Sequence, residues 1–396
     1  MNSSEGLKVL FLSPGYKPYL GGTERIVEQL AHQYLKMEGI SRVGVLTTRM
    51  DFNHMPPREN LELPSEEEID GLSVYRVSFY PKKLKYFYTL PIGLISLEAV
   101  KVIRKFKPDI IHYLLTEWFC ANAWLYLLSS KKCSHIYTVA FHELPPSRRY
   151  LLMQYVNIFL GRVVDKVQVH SDHIRQRVME HYRVPAKKIE VIPMGAISDE
   201  KKSPNKEVAV GEKVSFVAVG RLSADKGQLD LLECFQQALS RSQREMELVL
   251  VGGDGGHREL IETYINENGL QDNVRITGYV SEDALHEYYR KSDVFILLTR
   301  MESFGIVFAE AQSFGLPIIA YRIGPLESAF KKGALLAEPY DQKIVADSIL
   351  RLAEDDGFRS EMSIQAYTYA WENFSWQRTA ASFLQLYRDA VREKQS

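Results

Sequence analysis

The chain has 396 residues, 45% hydrophobic and 25% charged, enough apolar content for two or three folded domains. Its formal charge is −1, and its 49 Lys and Arg are dispersed without a reading motif, which argues against nucleic acid as a partner. Three cysteines, Cys120, Cys133 and Cys234, are odd in number and unpatterned, which argues against a disulfide framework or structural zinc and for a reducing, cytoplasmic compartment. Met1 to Gly6 is short and polar and leads directly into a strand, so no secretory signal is expected.

In chain order, apolar runs predict strands at 8–13, 43–47, 74–77, 110–114, 136–140, 166–170 and 189–192, then at 214–219, 247–251, 273–277, 294–298, 317–320 and 334–336. Helical patterns alternate with them, as in Ile26, Val27, Leu30, Ala31, Tyr34 and Leu35. Two α/β halves with doubly wound parallel sheets follow from that alternation. The polar stretch Ala196 to Glu207 suits a linker. Charge divides the same way, with 26 Lys and Arg against 19 Asp and Glu through Gly195 and the reverse sign after it.

Three loops carry chemistry. The first follows strand 8–13, where Gly21 and Gly22 let backbone approach a ligand or simply make a turn. The second, Gly220-Arg221-Leu222-Ser223-Ala224-Asp225-Lys226-Gly227, follows an apolar strand and offers two cations to a diphosphate, Arg221 as a fork and Lys226 as a point charge. It is not a P-loop, since G-x-x-x-x-G-K-[ST] is absent. The third holds Glu302 and Glu310, one carboxylate in the loop after strand 294–298 and the other two turns into the next helix, with Ser303 placed as its cap. Carboxylates at a helix start suit a ligand that combines vicinal hydroxyls with phosphate. His170 and His173 lack further ligands nearby and read as structural.

Together these features resemble the retaining GT-B glycosyltransferases of family 4, over nearly the whole chain. The motifs are Gly21-Gly22-x-Glu24, Ile189 to Gly195, Gly220-Arg221-Leu222 with Lys226-Gly227, Leu250 to Gly255, Val274 to Val280, Glu302 to Glu310, and Phe374-Ser375-Trp376. The resemblance implies two Rossmann-like domains facing across a cleft: 1–195 for the acceptor, a linker at 196–212, and 213–375 for the nucleotide-sugar donor, with a last helix at about 376–396 packing back on the first. It implies that Arg221 and Lys226 neutralise the donor diphosphate, that Glu310 holds ribose hydroxyls, and that Glu302 contacts the transferred sugar. Ser303, Phe304 and Gly305 fall in the same donor loop, with the Phe304 and Gly305 amides toward sugar or phosphate. Gly278, Tyr279 and Val280 lie near the base, Gly22 near the diphosphate, and His142 beside the reacting sugar. Met194 stands where the family has Asn, Ile323 where it has Gly, and Glu143 where Asp is frequent.

The implied activity is transfer of a hexose from GDP-mannose or a UDP-hexose to a glycan, lipid-linked or small-molecule acceptor, with no metal and no cofactor. Arg258 stands where an NAD-binding fingerprint needs its third glycine, which disfavours a dinucleotide oxidoreductase. A nucleotide-sugar sensor, and an epimerase or phosphorylase on the same fold, remain as alternatives. The segment Phe79 to Ile95, with Lys82, Lys83 and Lys85 among aromatics, suits either a loop or peripheral contact with an anionic membrane, which would place the protein at its cytoplasmic face. It is too short and charged to span a bilayer. The Tyr113 to Leu128 stretch reads as a buried helix.

Overall fold

The computed structural model describes residues 6–19, 22–51, 58–77, 97–114, 133–139, 157–197 and 213–395. They divide into two compact units, Met1–Ile192 with Trp376–Ser396, and Pro193–Ser375.

The first unit contains β1 (Leu7–Leu12), α1 (Gly22–Leu35), β2 (Ile40–Thr48), β3 (Met50–Asp51), β4 (Arg58–Glu59), β5 (Glu66–Ile69), β6 (Leu72–Val77), α2 (Leu97–Phe106), β7 (Ile110–Leu114), β8 (Ser134–Thr138), β9 (Lys166–Val169), α3 (Asp172–Tyr182) and β10 (Ile189–Val191). Its main sheet runs β10-β9-β8-β7-β1-β2-β6-β5. All pairs are parallel except β5 with β6. Every residue of β7 and β8 is buried, as a parallel sheet covered on both faces requires.

The second unit contains β11 (Lys213–Val219), α4 (Gln228–Leu239), β12 (Glu245–Val251), α5 (Arg258–Glu267), β13 (Val274–Gly278), α6 (Glu282–Lys291), β14 (Val294–Leu297), α7 (Ile306–Ser313), β15 (Ile318–Tyr321), α8 (Gly324–Ala329), β16 (Ala334–Ala337), α9 (Gln342–Glu354) and α10 (Asp356–Asn373). Its six parallel strands run β13-β12-β11-β14-β15-β16. The chain winds outward from β11 in one direction, then returns to lay β14 on its other side. Loops leaving β11 and β14 therefore diverge at a switch point, where doubly wound sheets bind ligands.

The last helix, α11 (Trp376–Gln395), belongs to the first unit, against α1 and β8. Phe383, Leu384, Leu386 and Tyr387 on one face are all at most 5% exposed. At roughly 1.5–3 kcal/mol per large apolar side chain, that face outweighs the surface pair Lys166–Glu393, since an exposed pair is worth about 1 kcal/mol at most. A buried polar chain accompanies it. Tyr34 Oη donates to Tyr387 Oη at 3.1 Å, and His112 lies between Tyr387 Oη (2.7 Å from Nδ1) and Thr138 Oγ1 (2.8 Å from Nε2). Thr138 then donates to Gln168, whose amide reaches the Ile192 carbonyl.

All thirteen expected strands are present, with ends shifted by up to three residues. The short β3, β4 and β5 escape a reading by hydropathy, because β3 and β4 are two residues each and Glu66-Glu67-Glu68 in β5 is acidic. The expected helix at 113–128 is corrected at its start: Tyr113 and Leu114 close β7. Its remainder lies outside the described residues, as do Gly21, His142, Glu143 and the segments 79–95 and 198–212.

Candidate active site

The second unit's switch point is built from two loops that hold each other. After β11, Gly220 leads to Arg221, a single helical turn at Ala224–Lys226, and Gly227. Gly227 has φ +66°, and a Cβ there would sit 2.1 Å from the Leu298 carbonyl oxygen, so only glycine lets this loop lie against the end of β14. The β14 loop answers with two bonds to the Asp225 carbonyl: Arg300 N donates at 2.9 Å and Thr299 Oγ1 at 3.2 Å. The Arg300 guanidinium also forks onto Asp230 with both contacts at 2.8 Å. The mouth of the sheet is thereby fixed by main-chain and charge-assisted contacts beside the buried Leu222 and Leu298.

Within this frame Lys226 Nζ lies 2.5 Å from Glu302 Oε1, with both side chains less than a fifth exposed. Arg221 is exposed at the head of its loop, and its carbonyl accepts from Gln228 Nε2 at 2.8 Å. Asp225 is held below the usual carboxylate range: burial opposes this, and the Ser223 hydroxyl, Lys226 and Arg221 outweigh it. Three cations, Arg221, Lys226 and Arg300, and two carboxylates, Asp225 and Glu302, thus share one loop pair.

Gly305, at φ +89°, is the N-cap of α7 and makes no side-chain cap bond. The cap expected at Ser303 is therefore corrected. Side chains of Phe308 and Leu326 lie within 3 Å of where a Gly305 Cβ would be, which selects glycine at the cap. Because α7 starts at Ile306, Glu310 is its fifth residue, little more than one turn in rather than two. Phe304 is 2% exposed, and its ring packs on Phe330 and Phe374. Gly278 closes β13, Val280 follows in the loop, and Tyr279 between them is 83% exposed. Gly22 is the first residue of α1 in the other unit.

Arg221, Lys226, Glu302, Ser303, Phe304, Gly305 and Glu310 thus lie on the loops leaving β11 and β14 and on the helix start that follows. Thr299, Arg300 and Asp230, which brace these loops, were not singled out in the sequence. An Arg after a strand and an Asp in a first turn are too common to signal, and only the fold reveals that they meet. A separate groove of about 580 Å³ in the first unit, between Lys166, Glu190 and the Gln385–Glu393 face of α11, is remote in chemistry, its charged groups largely paired with one another.

Residues 199–369 match the model of the glycosyl transferases group 1 family, and residues 20–199 match that of glycosyltransferase family 4. The chain belongs to the group 1 glycosyltransferases of family 4. A D-inositol 3-phosphate glycosyltransferase of Corynebacterium efficiens is 31% identical over 57% of this chain and 57% of its own length. An uncharacterised glycosyltransferase of Methanocaldococcus jannaschii is 24% identical over 83% of this chain and 88% of its own. The chain spans between 41% and 61% of the length of the inositol-phosphate relatives it matches. Among solved structures, sucrose-phosphate synthase from Thermosynechococcus elongatus superposes with a TM-score of 0.73 at 21% identity, covering 98% of this chain and 100% of that one. HepE from Anabaena, in complex with UDP and glucose, gives 0.72 at 18% identity, covering 97% and 100%. At such identities the likeness is one of fold: two parallel-sheet α/β units of the GT-B kind.

Proposed function

We propose that this family member is a retaining glycosyltransferase that needs no metal and moves a hexose from a nucleoside-diphosphate sugar to an acceptor hydroxyl. The observation that carries this is the meeting of Lys226 and Glu302 at the switch point of the second sheet, in the loop pair that also carries Arg221 and beside the start of α7. As the bond between the anomeric carbon and the donor phosphate breaks, its electron pair goes to the phosphate oxygen. Arg221, Lys226 and the first amides of α7 stabilise that charge, a form of catalysis in which one positioned donor is worth about 10²–10³ in rate. The acceptor oxygen bonds to the same face of the sugar, and its proton passes to the departing phosphate. Glu302 positions the sugar's hydroxyls, Glu310 the ribose diol, and Gly278 to Val280 the base. Gly22 and His142 keep the roles toward diphosphate and reacting sugar that the resemblance gives them.

The UDP and glucose held by HepE support a UDP-hexose donor, and GDP-mannose fits the same residues. The inositol phosphate in the names of several relatives supports a polyol acceptor, and a lipid-linked acceptor would explain the basic first half, which a soluble glycan or small metabolite does not need. Among the described residues no helix is long and apolar enough to cross a membrane. Peripheral contact through Lys82, Lys83 and Lys85 at the cytoplasmic face is part of the proposal. A thermal-shift screen of GDP, UDP, ADP and dTDP and their hexose conjugates without metal, with Arg221→Ala as control, tests the donor site. A selective stabilisation lost in the control supports it, and no shift with folded protein refutes it.

A further inference from the structure

Glu310 is not the end of its own chain of contacts. Behind it, Tyr289 on α6 is completely buried, and its hydroxyl donates to Glu310 Oε2 at 3.2 Å. The Tyr289 ring is walled by Phe295 and Phe314, with centroids 6.3 and 5.4 Å away. Phe295 in turn packs edge-on against Phe308, two residues before Glu310 on α7. The phenol therefore has a fixed direction. It is also a permanent donor, because burial and the adjacent carboxylate push its pKa well above the ordinary 10.

We propose that Tyr289 is a positioning residue for the donor nucleotide: it pins one oxygen of Glu310 so that the carboxylate meets both hydroxyls of a ribose, making the site selective for ribonucleotides over deoxyribonucleotides. This rests on the ribose role proposed for Glu310. A carboxylate free to rotate about its last torsion spreads over many orientations, and a bidentate contact with a diol needs one. The phenol takes one of the roughly four acceptor sites of a carboxylate, and two vicinal hydroxyls need two. The hydroxyl itself reaches no ligand, since it lies behind the carboxylate in the core. A phenylalanine here keeps every ring contact and removes only the pin.

The test measures the dissociation constants of UDP and GDP against dUDP and dGDP by calorimetry for the wild type, Tyr289→Phe and Glu310→Ala. The wild type should prefer the ribonucleotide about tenfold. Tyr289→Phe should cut that preference to about two- to threefold, weakening the deoxyribonucleotide, which keeps only the 3′-hydroxyl contact, less than the ribonucleotide, and Glu310→Ala should abolish it. Should Tyr289→Phe not fold, Tyr289→Met refills the volume without a hydroxyl and is read the same way. An unchanged ribose preference in the folded variant, or an equal weakening toward both sugars, overturns the positioning role. Persistence of the preference in Glu310→Ala instead overturns the ribose role of Glu310 itself, and so separates the two failures.

Discussion

Lowering the pH from 7.5 to 5.0 should unfold the first unit ahead of the second, because three histidines are buried uncharged there. Burial pushes His112 down to about 3 and His135 to about 3, the latter also repelled by Lys394, and His170 to about 4 despite its bond to the Ile192 carbonyl. The unfolded chain protonates these rings near the ordinary 6.5 and the folded one does not, so between about pH 6.5 and 4 the unfolded state binds more protons and stability falls as pH falls. At 1.36 kcal/mol per unit, 1.5 units cost about 2 kcal/mol for each ring and about 6 kcal/mol together, a large share of the 5–15 kcal/mol typical of a domain. Urea unfolding followed by circular dichroism at pH 7.5, 6.0 and 5.0, with limited proteolysis to assign each transition, measures this. His135→Gln should lower the acid-induced loss by about 2 kcal/mol whatever its effect at pH 7.5. A loss below about 1 kcal/mol, or one shared equally by the two units, refutes the reasoning.

Further outcomes concern the proposed site. Glu302→Gln removes the carboxylate that competes for Lys226, so affinity for a bare nucleoside diphosphate should rise about three- to tenfold while sugar transfer falls; calorimetry and a product-release assay together check it. Gly227→Ala forces a Cβ onto the Leu298 carbonyl at an unfavourable φ and should lower the melting temperature by several degrees and abolish diphosphate binding. Gly256→Ala is the control, since its φ is +95° and nothing lies within 4 Å. His142→Ala should lower turnover by 10-fold or more with donor affinity kept, measured by steady-state kinetics beside calorimetry. Chelator should leave transfer intact, and activity restored only by added magnesium or manganese would remove the metal-free mechanism.

The strands were legible because runs such as Val214 to Val219 and Val294 to Leu298 are apolar without interruption, which parallel sheets buried on both faces require. The loops were legible as places where glycines and charges follow such runs, and the motif order joined them into one family. Sheet order and the resulting contacts were not. Nothing local in Val294-Phe295-Ile296-Leu297 says that it returns beside β11, and on that return depends the meeting of Lys226 with Glu302, 76 residues apart. Ser303 misled because a hydroxyl before a helix is a good cap in general, whereas here packing of Phe308 and Leu326 around Gly305 decides where α7 begins. Tyr289 was silent for the opposite reason: an aromatic on a helix beside a strand looks like core, and its ring is core, with only the hydroxyl turned to a second task.

The placement of α11 has a consequence for biosynthesis. Tyr387 joins Tyr34 and His112, and Lys394 reaches the Cys133 carbonyl and Asp165, so the first unit is completed by a helix translated well after Ile192. About 180 residues separate Ile192 from Trp376, roughly 10–40 s of translation at 5–20 residues per second. During that interval the β8 surface and the Tyr34 hydroxyl await their cover while the second unit, an uninterrupted stretch, is free to fold. Nascent chains stalled before Trp376 should therefore hold a protease-resistant second unit beside a protease-sensitive first one, and loss of the last turns of α11 should injure the first unit rather than the second.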